Sequence, residues 1–175
     1  MFGPPRKLET ESDLYDAALR ALMRRAHSVY EMRLVLERRA EDKALVKNVL
    51  ARLKQNGMID DAHYAKQFAR YHAESRRQGK FRIARDLRAR GVPDRHIESA
   101  LTELASESDE SSLIRKRIER KLKLLRGEID DRKMASLYRS LLRAGFSSDL
   151  IRRELHRLTH EDVPEITDSA ESADS

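Results

Sequence analysis

The sequence contains no cysteine, which excludes a disulfide scaffold and any thiolate-ligated metal centre and fits a reducing compartment. Aromatic residues make up only 5%, and β-branched residues are few, so strands have little to build on. No apolar run approaches the roughly 20 residues that span a bilayer. The opening MFGPPRKLETESD has no apolar core after its charges, as a secretory signal would need. The expectation is a cytoplasmic protein without membrane contact. Charge is what the chain has in abundance: 38% of its residues are charged against 39% apolar, where about a quarter charged is usual. At 175 residues it is long enough for a sizeable core.

The net charge of +6 is unevenly spread. Six acidic residues and no basic one lie from Glu161 to the end, which leaves +12 on residues 1–160. A basic body with an acidic tail favours polyanions or acidic protein surfaces. Solvated helix faces are the plainer account of the same charges.

Ala, Leu, Arg, Glu and Lys dominate, and the apolar residues recur at helical spacing. Leu14, Ala18, Leu22 and Ala26 form one stripe. Ser28 with Glu31 three residues on has the pattern of a capping box. A helix is expected from about Asp42 to Asn56, stopped by Gly57. The next starts at Asp60 or Asp61, carries Tyr64, Ala65, Phe68 and Tyr71, and runs toward Gly79. Phe81, Ile83, Ala84 and Leu87 follow, up to Gly91, and Pro93 suits a first turn. Ser106 to Ser112 reads as a polar linker. Three more helices are expected at about 112–126, 131–144 and 148–159.

These helices repeat. RDLRARGVPDRHIESALTEL at 85–104 aligns without a gap on RSLLRAGFSSDLIRRELHRL at 139–158, an offset of 54 residues. Leu87 falls on Leu141, Gly91 on Gly145 and Ile97 on Ile151. A weaker copy lies 51 residues upstream, matching Tyr30 to Phe81, Met32 to Ile83 and Leu36 to Leu87. Each unit is too small to bury its stripes well alone, so the units are expected to stack. The fold class is all-α: three tandem three-helix repeats forming an elongated, curved array. The expected divisions are a disordered segment 1–12, repeats at 13–58, 59–107 and 108–160, and an acidic disordered tail 161–175.

Little here suggests catalysis. His156 and His160 stand i,i+4 near Glu161, but Arg157 occupies the place where a zinc protease carries Glu, and a third ligand is lacking. The pairs Asp60-Asp61 and Asp130-Asp131 are explained by helix capping and the helix dipole. The glycines form no phosphate-binding run. Met23, Met32, Tyr64, Phe68, Phe81 and Phe146 are read as core residues, not as a base-stacking platform.

The basic clusters are the informative polar feature. Arg76, Arg77, Lys80, Arg82, Arg85, Arg88 and Arg90 fall within fifteen residues, and Arg115, Lys116, Arg117, Arg120, Lys121, Lys123 and Arg126 within twelve. Pairs such as Arg115 with Glu119, or Glu154 with Arg157, absorb only part of this charge. The candidate contact set is Arg76, Arg77, Lys80, Arg82, Arg85 and Arg88, assisted by Lys116, Arg120 and Lys123.

The stretch from Gly57 to Leu101, GMIDDAHYAKQFARYHAESRRQGKFRIARDLRARGVPDRHIESAL, resembles the central signature of the RecX family of RecA regulators. ALRALMRRAHSVYEMRLVL is similar to that family's first unit, and Arg143-Ala144-Gly145-Phe146 looks like the turn of its third. Ala144, and Ala40-Glu41 in the first unit, depart from the pattern. The chain is expected to be a monomer, and the resemblance implies a protein with neither catalytic residue nor cofactor that lies in the groove of the RecA–DNA filament. It would modulate, most often inhibit, recombinase, ATPase and coprotease activities. The rival reading is a sequence-independent DNA-binding helical repeat that acts without a recombinase.

Overall fold

In the computed structural model, residues 7–124 and 130–161 are described, with side chains through Arg157. The described residues form nine helices and no strand beyond one isolated bridge. They are α1 Glu11–Leu22, α2 Val29–Glu37, α3 Ala44–Gln55, α4 Asp61–Glu74, α5 Lys80–Ala89, α6 Asp94–Glu107, α7 Glu110–Leu124, α8 Asp131–Arg143 and α9 Ser148–Glu161. Short polar side chains start most of them by accepting N–H groups that the first turn leaves unpaired. Thr10 accepts from Asp13 N at 3.1 Å, Asp60 from Ala62 N at 2.8 Å and Asp130 from Lys133 N at 2.7 Å. Ser28 and Glu31 complete their capping box.

Three apolar clusters fill the three helix triplets. Extensive helix–helix contact stays inside a triplet, as nearest-neighbour repeats require. The sequence repeat is a structural one. Leu36, Leu87 and Leu141 are fully buried at matched positions of α2, α5 and α8, and Val46, Ile97 and Ile151 do the same in α3, α6 and α9.

Four expectations are corrected. The Ser-rich stretch is not a linker: α6 runs through Glu107 and α7 starts at Glu110, so only Ser108 and Asp109 connect them. Asp109 makes this possible by capping Ser111 N and Ser112 N at 3.0 and 3.2 Å. The segment before residue 13 is not disordered from Lys7 onward, because Leu8 pairs with Ala40 and α1 already starts at Glu11. Met23 and Phe81, read as core, are exposed by 86 and 57%. Met23 follows the last residue of α1, and Phe81 lies two residues, about 200° of helix turn, from the inward Ile83. Finally, Arg115 reaches Asp109 and the buried Glu154 across the triplet, not Glu119. Residues 1–6, 125–129 and 162–175, including Arg126 and most of the acidic tail, lie outside the described residues, as does the side chain of His160.

The triplets meet through one recurring device. The turn that ends the middle helix of each later unit docks on the start of the middle helix before it. Between the first and second units, Ser28 Oγ donates to the Arg90 carbonyl at 2.6 Å. Between the second and third, Gly79 N donates to the Ala144 carbonyl at 2.8 Å. Residues 28 and 79 are equivalent in the repeat, and so are 90 and 144. In the first unit the equivalent carbonyl, Arg39, accepts Leu8 N at 2.8 Å instead. That accounts for Ala40-Glu41 standing where the other units carry a glycine turn: the bridge from Leu8, not a helix start, covers it.

Candidate interaction surface

Asp61 shows how the first junction is built. While Asp60 caps its own helix, Asp61 accepts Val29 N across the junction at 2.9 Å. Arg25 forks onto Glu31 at 3.1 and 3.2 Å, Ser28 N donates to the same carboxylate at 3.2 Å, and the Tyr64 hydroxyl reaches it at 3.4 Å. Burial alone would raise the Glu31 pKa, but Arg25 and the Ser28 N–H outweigh it and hold it below the usual 4.5. Burial, then the nearby Glu31 charge, pushes Tyr64 up. Beside this junction runs an open groove of about 1260 Å³ lined by Tyr64, Phe68, Tyr71, His72 and Arg90 among others. Its histidines do not converge: among the described residues no group of three His, Asp or Glu side chains is placed to hold a metal ion.

The second junction is backbone against backbone. Gly79 N and Phe81 N donate to the Ala144 and Gly145 carbonyls at 2.8 and 3.2 Å. The approach is so close that a Cβ on Gly79 would lie 2.3 Å from the Gly145 oxygen, and one on Gly145 would lie 2.4 Å from Arg82 N. Gly145 also sits at φ +93°, a region costly for residues with a Cβ.

Around this second junction the two basic runs come together. Arg82 donates to the Arg143 carbonyl at 3.2 Å. Arg117 on α7 donates to the carbonyls of Arg76 and Arg77, both at 3.2 Å. Arg77 holds the left-handed φ of 49° that presents its carbonyl there, at a cost of about 1–2 kcal/mol. Burial first, then the like charges of Arg120, Arg82 and Arg77, push the Arg117 pKa down. The Nε atoms of Arg82 and Arg117 are both covered from solvent without a hydrogen-bond acceptor; Asp86 lies 3.6 Å from that of Arg82, and for Arg117 the omission costs about 1–3 kcal/mol.

The nine candidate residues therefore divide. Arg85 and Arg88 are well exposed but pair with Asp86 at 3.3 Å and Asp94 at 2.7 Å. Lys80 lies 3.9 Å from Glu110. Arg76 is exposed beside the Tyr71 ring, at 5.9 Å. Lys116, Arg120 and Lys123 are exposed on α7. Arg82 and Arg77 are partly buried at the junction. Arg117, at the centre of the cluster, was outside the candidate set. Its place three residues after the inward Ile114 was the signal that it lies at the edge of the core face.

A model of the second three-helix domain of RecX matches residues 60–101. The chain is 37% identical over 138 residues to the regulatory protein RecX of Halorhodospira halophila, covering 78% of this chain and 83% of that one. It is 35% identical over 153 residues to the regulatory protein RecX of Deinococcus radiodurans, covering 84% and 71%. The crystal structure of RecX from Lactobacillus salivarius superposes with a TM-score of 0.72 at 22% identity, over 85% of this chain and 96% of that one, and so supports the fold. With its own residues repeating as three helix triplets, the chain belongs to the RecX family of regulatory proteins.

Proposed function

We propose that this chain binds the RecA recombinase filament and restrains its recombinase, ATPase and coprotease activities by occupying surface, without chemistry of its own. One observation carries the reading: basic side chains from two units converge at a junction that also exposes Phe81. Phe81 is flanked by Lys80, whose Nζ lies 5.5 Å from the ring centroid, and Arg85 follows one helical turn later. An exposed aromatic among cations suits a polyanionic protein–DNA assembly better than it suits open solvent. No described helix is long and apolar enough to cross a membrane.

The test is binding to purified RecA with and without single-stranded DNA and nucleotide. Arg82 is a poor probe, because its guanidinium also ties the two units together. Arg85→Glu combined with Lys116→Glu touches exposed positions only. This double reversal should lower filament affinity by at least about tenfold, or about 1.4 kcal/mol, and relieve inhibition while the melting midpoint holds. Phe81→Ala should weaken binding by a similar factor with the fold intact. If both proteins bind and inhibit like the parent, the contact lies elsewhere. Tight binding to DNA alone, unaffected by RecA, would instead favour the sequence-independent DNA-binding reading.

A further inference from the structure

Arg77, Arg82, Arg117 and Arg120 come from two different units, the first two from the α4–α5 region and the last two from α7. Among the described residues, Arg117 meets only carbonyl oxygens, those of Arg76 and Arg77. Among the described residues, the carboxylate ion-paired to the group is Asp86, 3.6 Å from Arg82 and shared with Arg85 at 3.3 Å. With so little counter-charge, the like charges of Arg120, Arg82 and Arg77 act against that of Arg117. The repulsion falls across a joint otherwise closed by backbone hydrogen bonds between glycine turns.

Guanidinium groups are planar forks that match the oxygen spacing of phosphate, and they keep their charge when partly desolvated. Arg82 is already held by the Arg143 carbonyl, and Arg117 by those of Arg76 and Arg77, so little side-chain freedom remains to be lost on binding. The Arg82 side chain is 38% exposed although its Nε is covered, so its exposed part lies away from Nε.

We propose that Arg77, Arg82, Arg117 and Arg120 form a phosphate-binding site that spans the second and third units and locks the angle between them when occupied. The ligand chemistry is a phosphate oxyanion, supplied by a nucleic-acid backbone or by a free phosphate compound. This goes beyond filament binding and stands without it, because the site needs no recombinase to fill.

The experiment uses the full chain in chloride buffer with no recombinase present, so its failure leaves the filament reading untouched. Pyrophosphate and a short single-stranded oligonucleotide are titrated in separate arms at constant ionic strength. Amide hydrogen exchange is followed at Gly79 and Phe81, whose N–H groups cross the second junction, with Val29 at the first junction as the internal control. Occupancy should slow exchange at Gly79 and Phe81 severalfold, leave Val29 unchanged and raise the melting midpoint above that in matched chloride. A response to pyrophosphate alone assigns the site to free phosphates, and a response to the oligonucleotide assigns it to a nucleic-acid backbone. Arg117→Gln should abolish the response. Arg120→Gln, at an exposed position that folding does not need, should weaken the affinity by about tenfold. No slowing in either arm, or an unchanged response in both variants, would overturn the proposal.

Discussion

The two junctions share a geometry and differ in chemistry. Each seats a helix-ending glycine turn on the start of the preceding middle helix, at equivalent positions of the repeat. The first is closed by side chains: Ser28 on the Arg90 carbonyl, Asp61 on Val29 N, and Tyr64 on Glu31, whose charge Arg25 offsets. The second is closed by glycine backbones, and among the described residues its arginines outnumber the carboxylates paired with them. One joint has its counter-charges built in; the other leaves them to be supplied. In this repeat the position is set by packing, while the charge at each joint is free to vary with its use.

The largest effect should come from putting a side chain into the second joint. Gly145→Ala adds a Cβ against Arg82 backbone atoms and forces alanine to φ +93°. Overpacking costs about 1–3 kcal/mol and the backbone strain about 1–3 more, so a loss of about 3 kcal/mol is expected in chemical denaturation. Gly91→Ala tests the first joint in the same way. Its Cβ would lie 2.4 Å from Tyr30 Cβ, with φ at +69°. The nearest atoms there all belong to the Tyr30 side chain, whereas Arg82 backbone N and Cα crowd Gly145, so the loss should be the smaller of the two. Equal losses would mean that backbone contact does not distinguish the joints.

Next in size is Ser28→Ala. Ser28 is fully buried, and its hydroxyl both accepts Glu31 N and donates to Arg90 O. Losing a cap costs about 0.5–2 kcal/mol, and the orphaned carbonyl adds to it. A total of about 2 kcal/mol is expected, confined to the first joint. If amide exchange at Gly79 and Phe81 rises as much as at Val29, the joints are coupled and the nearest-neighbour picture fails.

The array was legible in the sequence because its cause is local. Apolar spacing, caps and the two offsets located nine helices, and the equivalent Leu36, Leu87 and Leu141 are equally buried. The joints were not legible, since Gly79 and Gly145 read alike as helix punctuation and nothing in one dimension says that they touch. Leu101 shows the same limit: it follows the stripe of α6 yet is only half-buried at the edge of its cluster. Asp61 looked like a second cap for its own helix, and only the fold reveals that it caps another. The basic runs were visible as charge density. Which arginines are paired, and which are left facing other arginines, depends on the carbonyls and carboxylates that the fold brings near.

The smallest effect expected is of pH, and it separates the joints most cleanly. Close to the first joint, His27 is 7% exposed, with Nδ1 2.9 Å from the Arg25 carbonyl. Burial, then the Arg25 charge, holds its pKa below 6.5. His72, stacked on Phe68 at 3.9 Å, is also held below 6.5, by burial first, with Arg90 adding to it and the Gln78 hydrogen bond opposing. A group whose pKa is lower folded than unfolded binds fewer protons when folded. The stability that these histidines contribute is therefore complete above pH 6.5 and lost as pH falls through their folded values. Glu31 behaves alike from 4.5 downward. The melting midpoint should fall gently between pH 7 and 5 and more steeply below 4.5. Amide protection, corrected for the intrinsic pH dependence of exchange, should weaken at Val29 before it weakens at Gly79 and Phe81. Replacing His27 and His72 by Gln should flatten the upper limb and leave the lower one. A doubly substituted protein that still loses the same stability between pH 7 and 5 would place the responsible groups outside the first joint.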